Sequence, residues 1–370
     1  MKILLLGEYS NVHATLADGL RALGHQVTVA SNGDFWKDYP RDISLTRGDG
    51  PLSGLRLWAK TYATLPRFKG FDIVQLINPM FLELKAERIR PIYRYLRRHN
   101  RCIVLGGFGM DWYWVHTCIF DKPLRYSDFN MGDTLRTNHD AVKEQHDWLG
   151  TPKERLNRAI AHDCNGIVTG LYEYWACYHP AFPEKTIFIP FPIRPKHDVC
   201  IRPHTGKLKL FIGINKTRSE YKGTDIMLKA AQDVARRYPD RVELRIAESV
   251  PFAEYVKLME GSDAILDQLY SYTPSMNPLE AMSKGIICIG GGEEENYQIL
   301  DETELRPIIN VQPSYESVVH ELKALALHPE RINTLKQQSV EYIGRHHDYI
   351  KVARQYEKFY RSLLTDGENK

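Results

Sequence analysis

The chain has 370 residues, of which 43% are apolar and 26% charged, so it is long enough for two domains with sizeable cores. Its net charge of +3, without a dominant basic tract, gives no reason to expect a nucleic-acid partner. No apolar stretch approaches the roughly 20 residues of a membrane span, and the run at residues 3–6 is too short for a signal peptide. The six cysteines form no CxxC pair, which argues against a metal site or a disulfide framework and suits a reducing cytoplasm.

The first part of the chain alternates short apolar runs with segments of helical periodicity. The run at residues 1–6 ends at Gly7, a helix capped by Ser10 or Asn11 follows, and a second run begins after Gly24. This order predicts a β-α-β unit with a right-handed crossover in a parallel sheet. The further strands predicted here are 71–77, 101–105, 165–169 and 186–189, with a helix at 84–99.

Four prolines within residues 190–207 disfavour regular structure, so we predict a domain boundary there. Beyond it the alternation restarts. The strands predicted there are 208–212, 242–247, 264–269 and 286–289, and the helices are 223–238, 252–260 and 278–284. The expected fold class is α/β, with doubly wound domains at 1–195 and 205–348. Because no GxGxxG follows the first strand, a nicotinamide enzyme is not indicated.

The loop GINKTRSEYKG lies between a predicted strand and helix of the second domain. It carries Lys216, Arg218 and Lys222 at the carboxyl edge of the sheet, where ligands bind in such domains. Cations beside a helix start predict a diphosphate site. The alternative is a solvated basic loop.

A second motif, NPLEAMSKG, begins at Asn277 and opens the predicted helix. Pro278 suits a helix start, and Glu280 is expected in the first turn, near the same sheet edge. A carboxylate there can accept two hydrogen bonds from a ribose, or it can simply complement the helix dipole. The acidic run 293–295 after the next strand is expected in an exposed turn.

These motifs resemble glycosyltransferase family 4. SMNPLEAMSKGIICIGGG resembles the segment around the second glutamate of that family's E-x7-E motif, and GINKTRSEYKGTDIMLKAA resembles its phosphate-binding loop and following helix. With ESVPFAEYVKLMEGSDAILDQ between them and GEYSNVHATLADGLRALGHQVTVAS near the start, the resemblance spans most of the chain. It implies a GT-B fold, with two Rossmann-like domains facing across a cleft and the last helix, 349–370, packing back on the first. It also implies sugar transfer from a nucleotide-sugar with retention of configuration and no required metal.

The resemblance also implies roles for single residues. Glu280 matches the ribose-binding glutamate and Lys222 the phosphate-binding lysine, with Arg218 or Lys216 as the preceding basic residue. Asn277 and Leu279 are further donor-binding candidates, because they lie at the start of the helix that the NPLEAMSKG motif opens.

One position departs from the family pattern. Tyr272 stands where the family usually has the first glutamate, which commonly contacts the donor sugar. Asp267, Gln268 and Tyr272 itself are possible substitutes. The change indicates either an altered sugar preference or a weakened enzyme.

The first domain is expected to supply the acceptor side. Gly7, a donor-binding candidate, lets the backbone approach a ligand in the cleft. Ser10 and His13 are acceptor-side candidates that could point inward, although a packed or capping role is the commoner one for such a histidine.

The loop GGFGMDWYWVH is the stronger acceptor candidate. By analogy with related enzymes, Asp111 would position or deprotonate the acceptor hydroxyl, with His116 as the competing residue and Trp112 beside them. The alternative makes the aromatic residues core and Asp111 a turn residue.

Residues 85–101 predict a helix with six arginines and an apolar side. It could contact anionic lipid, which would suit a lipid-linked acceptor, or it could be an ordinary surface helix.

We therefore expect a retaining glycosyltransferase of hexosyltransferase type, cytoplasmic or peripheral at the inner membrane face. It would use a nucleotide-diphosphate sugar, with UDP or GDP favoured, and a sugar, glycolipid or glycan acceptor in surface polysaccharide or glycolipid assembly. It would need no cofactor. The alternatives are a non-catalytic nucleotide-sugar-binding subunit and a nucleotide-sugar epimerase on the same fold.

Overall fold

The computed structural model describes residues 1–195, 201–250 and 252–368. The chain divides into two compact units. The first comprises Met1–Pro123, Glu144–Pro192 and Tyr349–Lys370, and the second comprises Leu124–Lys143 and Ile193–Asp348. Within the predicted linker 190–207, residues 196–200, including Cys200, lie outside the described residues.

Each apolar run that was predicted to be a strand contains a strand in the structure. In chain order they are β1 (Lys2–Leu6), β2 (Gln26–Ser31), β3 (Ile43–Ser44), β4 (Ile73–Leu76), β5 (Cys102–Gly107), β6 (Asn130–Met131), β7 (Thr134–Leu135), β8 (Gly166–Thr169), β9 (Thr186–Phe188), β10 (Leu208–Ile214), β11 (Val242–Glu248), β12 (Ala264–Leu266), β13 (Ile287–Gly290) and β14 (Ile309–Asn310).

The helices between them are α1 (Val12–Ala22), α2 (Ser53–Thr64), α3 (Ala86–His99), α4 (Trp112–Phe120), α5 (His139–Trp148), α6 (Pro152–Asp163), α7 (Tyr172–Tyr178), α8 (Ser219–Lys222), α9 (Thr224–Arg237), α10 (Phe252–Met259), α11 (Met276–Met282), α12 (Glu294–Ile299), α13 (Tyr315–Leu327), α14 (Glu330–Tyr342) and α15 (Tyr349–Glu368). Among the described helices, none is long and apolar enough to span a bilayer.

The first unit is built on a seven-stranded parallel sheet in the order β3-β2-β1-β4-β5-β8-β9. Its central strands are buried on both faces, as parallel strands covered by helices are. Helix α15 packs on α1 so closely that a Cβ at Gly19 would lie 2.4 Å from the Tyr349 carbonyl oxygen. The last helix thus belongs to the first unit, as the resemblance implies.

The second unit has a five-stranded parallel sheet in the order β11-β10-β12-β13-β14. Its main core lies between this sheet and the helices α9, α13 and α14, with Leu210, Ile212 and Leu322 at its centre. The antiparallel hairpin β6-β7 also belongs to this unit, although residues 130–135 lie within the predicted first domain, 1–195. No sequence pattern predicted that residues 124–143 join the second unit.

Candidate functional site

The basic loop of the second unit follows β10 at the carboxyl edge of the sheet. The Asn215 side chain accepts hydrogen bonds from the Thr217 amide at 3.1 Å and hydroxyl at 2.8 Å, and so caps a single 3-10 turn, Lys216–Arg218. Helix α8 and then Gly223 follow. Gly223 has a φ of 72°, and a Cβ there would lie 2.6 Å from Leu269, so only glycine permits this approach of α8 to the loop after β12.

Two cations of this loop contact carboxylates. Lys216 lies 3.1 Å from Glu248 and Arg218 lies 3.7 Å from Asp140. The Lys216–Glu248 pair is exposed, and exposed pairs contribute only about 0–1 kcal/mol, so a doubly charged anion can compete for Lys216. Asp140 is half-buried, but its distance from Arg218 is too long for a hydrogen bond, which leaves Arg218 able to contact an anion as well.

Lys222, the last residue of α8, interacts electrostatically with Asp267, which directly follows β12. Burial raises the pKa of Asp267 to about 6, and the positive charge of Lys222 opposes that rise. The backbone joins the same two loops, because the Leu269 amide donates to the Lys222 carbonyl at 2.9 Å. Lys222 and Asp267 therefore share one environment at the sheet edge.

The helix of the second motif begins earlier than expected. Because α11 starts at Met276, Glu280 lies in its second turn, and the prediction that it lies in the first turn was wrong. Its exposed side chain contacts Lys284 at 3.1 Å. Asn277 donates to the Tyr255 hydroxyl at 2.8 Å, whereas Leu279 is fully buried and its amide donates to Ser275. The structure thus leaves Glu280 accessible but gives Leu279 a role in the core.

The segment 124–143 covers Tyr272, at the position where the resemblance to family 4 implies a glutamate. Tyr272 is fully buried, its hydroxyl accepts a hydrogen bond from the Arg125 amide at 2.7 Å, and its ring lies 4.8 Å from that of Tyr126. The Arg125 guanidinium lies 4.9 Å above the same ring and donates to Glu293 and Glu295. Tyr272 is therefore held by segment 124–143 and presents no accessible surface to a sugar.

Glu293 corrects a second expectation. It is buried and accepts hydrogen bonds from Tyr126, Asn310 and Gln312 at 2.6, 3.0 and 2.7 Å, so the prediction of an exposed turn at 293–295 was wrong for Glu293, whereas Glu294 is exposed at the start of α12. Burial raises the pKa of Glu293, but these hydrogen bonds and the Arg125 charge outweigh it and hold the pKa below its usual range. Sequence reasoning placed this residue in solvent because its partners Arg125 and Tyr126 lie 168 and 167 residues away along the chain.

A second arginine of segment 124–143 contacts the basic loop. Arg136 donates to the carbonyl oxygens of Glu220 and Tyr221 at 2.9 and 3.0 Å, and its guanidinium lies 3.5 Å above the Tyr270 ring. It thereby satisfies carbonyl groups at the end of α8, next to Lys222.

In the first unit, Asp111 is a fully buried helix cap. It precedes α4 and accepts hydrogen bonds from the Trp114 amide at 2.9 Å and the Tyr178 hydroxyl at 2.6 Å. Burial raises the pKa of this carboxyl to about 7. Its location argues against contact with an acceptor and fits the structural alternative.

His116 and Trp112 lie one helical turn apart on α4, with ring centroids 4.4 Å apart. The Trp112 amide donates to Asn157 at 2.8 Å, and Arg158 lies 5.0 Å above the indole. Both rings are half-buried, so the structure assigns them packing contacts and leaves one edge of each accessible.

The residues near the start of α1 are also tightly packed. His13 is fully buried, with Nδ1 2.9 Å from the Gly7 carbonyl and Nε2 3.1 Å from the Gln75 amide, and burial lowers its pKa to about 3. At Gly7 a Cβ would lie 2.3 Å from Ile77, so packing requires this glycine. The Ser10 amide donates to Asp34 at 2.8 Å.

Glu8 was not predicted as a notable residue. Its carboxylate accepts hydrogen bonds from the His13 and Ala14 amides at 3.2 and 2.8 Å, at the start of α1. Burial raises the pKa of Glu8 to about 8, against the effect of these amides. The Glu8 carboxyl group thus occupies the amides at the start of α1, where an external anion would otherwise bind.

An open depression of about 490 Å³ lies in the first unit beyond the end of β4. Its charged lining includes Arg47, Glu83, Lys85 and Lys153. None of the predicted acceptor residues lines it. In the described part of the chain, no three histidine, cysteine, aspartate or glutamate side chains are grouped so that they could hold a metal ion.

Comparisons with known proteins agree with this architecture. Residues 216–358 match a family model described as glycosyl transferase-like. No curated protein matches the chain by sequence.

Several solved structures share the fold. Sucrose-phosphate synthase from Thermosynechococcus elongatus aligns at a TM-score of 0.63 with 13% identity, covering 99% of this chain and 100% of that one. HepE from Anabaena, in complex with UDP and glucose, aligns at 0.59 with 13% identity and 98% and 100% coverage. A putative UDP-N-acetylglucosamine 2-epimerase from Listeria monocytogenes aligns at 0.57 with 10% identity and 99% and 98% coverage. The expected α/β fold of the GT-B type is confirmed, and the family-model match together with this fold supports a glycosyltransferase.

Proposed function

We propose that this chain is a family 4 glycosyltransferase that moves a hexose-type sugar from a nucleotide-diphosphate sugar to a hydroxyl acceptor, with retention of configuration and without a required metal. The observation that carries the proposal is the convergence of Lys222, Asp267 and the Lys216–Arg218 turn at the carboxyl edge of one parallel sheet. Ligands bind at this edge in doubly wound domains. The matched region, residues 216–358, includes all of these residues.

In this proposal the diphosphate is bound by cations. Lys222 contributes beside the half-buried Asp267. Lys216 exchanges its exposed partner Glu248, and Arg218 its half-buried partner Asp140, for phosphate oxygens. Glu280, accessible on α11, accepts hydrogen bonds from the ribose hydroxyls. UDP or GDP is the favoured nucleotide, and the UDP complex of the Anabaena protein supports the first.

The donor-sugar contact differs from the family pattern in this proposal. Since Tyr272 is covered, the exposed edge of Arg125 and the half-buried Gln268 take its place. Arg125 lies at this edge because segment 124–143 belongs to the second unit.

The acceptor side does not use Asp111, because that carboxylate is fully buried and already has two donors. The depression that Lys85 and Lys153 line is the better acceptor candidate, since it is open and carries both charge signs. In this proposal the acceptor is a sugar, a glycolipid or a glycan, and the reaction is a step of surface polysaccharide assembly in the cytoplasm.

Calorimetric titration with UDP, GDP, ADP and CMP in metal-free buffer tests donor binding. Saturable binding of one diphosphate is expected, with at least about a tenfold loss in Lys222→Ala, a change of 1.4 kcal/mol. The exposed Lys323→Ala is the matched control and should bind normally. Absence of binding by every nucleotide would overturn the proposal.

Two other functions are second candidates. The likeness to the putative epimerase supports an epimerase, and the burial of Tyr272 supports a nucleotide-sugar-binding subunit without turnover. NMR of the bound nucleotide-sugar distinguishes them. A transferase releases nucleotide only when an acceptor is added, an epimerase changes the sugar without one, and a binding subunit does neither.

A further inference from the structure

The sheet of the second unit has one long outermost strand. Strand β11 lies at the edge of the five-stranded sheet, and all seven of its residues, Val242–Glu248, are in regular register with β10. The other outermost strands of the two parallel sheets, β3, β9 and β14, have only two or three residues each. Proteins keep the edges of sheets from pairing with other chains by short outer strands, by proline or by bulges. Strand β11 has none of these features.

The outer side of β11 presents backbone groups that can pair with another strand. The Ser249 amide donates to the Ile214 carbonyl at 3.0 Å, so the odd-numbered residues of this stretch direct their backbone groups toward β10. Because successive residues of a strand direct these groups to opposite sides, the amides and carbonyls of Leu244 and Ile246 point outward. In the part of the chain that the structure describes, no residue forms a hydrogen bond with them.

The side chains of β11 also suit a partner strand. Ile246 is 41% exposed, and Leu244, two residues before it on the same face, is only half-buried against the main core. On the opposite face, Glu243 and Arg245 lie 2.7 Å apart. These two charges have opposite signs, so they do not repel a second copy of the strand as a row of like charges would.

Symmetry and charge select one register for two copies of β11. Strands related by a two-fold axis run antiparallel, and the axis can pass Leu244, Arg245 or Ile246 while at least five of the seven residues stay paired. An axis at Arg245 would place two arginines directly opposite each other, and one at Ile246 would place Arg245 opposite Ala247. An axis at Leu244 places Glu243 of each copy opposite Arg245 of the other, where cross-strand side chains lie closest.

We propose that this chain forms a homodimer in which β11 pairs antiparallel with β11 of a second copy, with the two-fold axis at Leu244. The two five-stranded sheets then join into one sheet of ten strands, five from each copy. The exposed Ile246 packs beside Val242 of the second copy. Two Glu243–Arg245 pairs form between the copies in place of the pair within each strand.

This surface is separate from the residues proposed for donor binding. Glu248 of β11 contacts Lys216 of the basic loop, but it lies beyond the five residues that pair in this register. Nucleotide binding is therefore expected to be the same in the monomer and in the dimer. Failure of either proposal leaves the other one standing.

Sedimentation equilibrium of the full chain over a wide range of concentration tests the proposal. We expect a reversible dimer whose Kd rises at least tenfold in Glu243→Arg and in Arg245→Glu, because each change places like charges opposite each other at two symmetric sites. The charge swap that combines both substitutions should restore most of the parent affinity. Only the register with its axis at Leu244 predicts this rescue.

An apolar substitution gives an independent comparison. Ile246→Thr keeps a β-branched side chain but removes apolar surface, so the Kd should also rise. Leu327→Thr is the matched control, since Leu327 is 36% exposed in the same unit, at the end of α13, and should dimerise as the parent chain does. Thermal melting of each variant shows whether it is folded.

A cysteine cross-link reports the register even where a charge variant melts early. In the proposed dimer the Cα atoms of the two Leu244 residues lie about 5.5 Å apart, within the range of a disulfide. Oxidised glutathione, which accepts the two thiol protons and electrons, should therefore link Leu244→Cys into covalent dimers. The parent chain, whose described cysteines are buried, should not be linked, and neither should Ile246→Cys.

A chain that stays monomeric at every concentration overturns the proposal. So does a dimer whose Kd is unchanged in folded Glu243→Arg and Arg245→Glu, or one weakened equally by Leu327→Thr. Covalent dimers formed through Ile246→Cys and not through Leu244→Cys would also overturn it, because the two-fold axis would then lie elsewhere on the strand.

Discussion

The Arg125 amide donates a hydrogen bond to the Tyr272 hydroxyl at 2.7 Å, while the guanidinium of the same arginine lies 4.9 Å above the Tyr272 ring. One residue of segment 124–143 thus holds the aromatic side chain that stands where the resemblance to family 4 implies a glutamate. The burial of Tyr272 and the docking of this segment are parts of one arrangement.

The hydroxyl of Tyr272 is expected to contribute to stability. Tyr272→Phe leaves the Arg125 amide without its acceptor and should cost about 1–2 kcal/mol of unfolding free energy. Urea unfolding measures the change. Tyr62→Phe, at an exposed ring, should be close to neutral, and an equally small effect at Tyr272 would contradict the role assigned to its hydrogen bond.

Arg136 is expected to position the basic loop. Arg136→Ala removes two hydrogen bonds to the carbonyl groups of α8 and the contact with Tyr270, so the backbone beside Lys222 loosens. We expect about a tenfold rise in the Kd for the bound nucleotide, or 1.4 kcal/mol. Titration calorimetry measures it.

Two comparisons separate positioning by Arg136 from general destabilisation. Arg136→Lys keeps the charge and should restore only part of the affinity, because a lysine cannot donate to both carbonyls in the same planar geometry. Arg331→Ala, at an exposed position on α14, should bind as the parent chain does. If both alanine variants bind nucleotide normally, the loop does not depend on segment 124–143.

Ionisation of Asp111 is expected to lower stability as pH rises. Burial raises the pKa of Asp111 to about 7, so the unfolded chain releases this proton at a lower pH than the folded chain does. The stability that the protonated carboxyl contributes is complete below about pH 4 and is lost as the pH rises from about 4 to 7. Asp111→Asn carries no ionisable group there. When the pH is raised from 5 to 8, the unfolding free energy of Asp111→Asn should therefore fall by about 1–3 kcal/mol less than that of the parent chain.

Denaturant titration at both pH values gives that difference. Asp121→Asn, an exposed change at the other end of α4, should leave the pH profile of stability as it is. Parallel profiles for the parent and Asp111→Asn would show that the carboxyl is already ionised in the folded state at pH 5.

Glu280 should matter for binding and not for folding. Its pair with Lys284 is exposed and spans one helical turn, so Glu280→Ala should change the unfolding free energy by less than about 0.5 kcal/mol. Affinity for the nucleotide is expected to fall about tenfold, because the ribose loses its acceptor. Glu316→Ala is the exposed control, and unchanged nucleotide affinity in Glu280→Ala would remove Glu280 from the site.

Local patterns account for most of the elements. Hydrophobic runs and helical periodicity are properties of neighbouring residues, so the predicted strand at 186–189 and helix at 223–238 appear as β9 and α9 almost residue for residue. The start of α11 was placed two residues late because Pro278 was assigned to the first helical position, whereas it is the third. The hairpin β6-β7 was missed because its strands have two residues each and no apolar alternation.

The sequence by itself determined the alternation of strands and helices, the two parallel sheets and the identity of the basic loop, because these depend on short-range order along the chain. Tertiary structure alone decided that segment 124–143 joins the second unit and that Tyr272 and Asp111 are buried. Those outcomes depend on contacts between residues far apart along the chain, as between Arg125 and Tyr272 or between Asp111 and Tyr178. Neither is encoded in the spacing of adjacent residues.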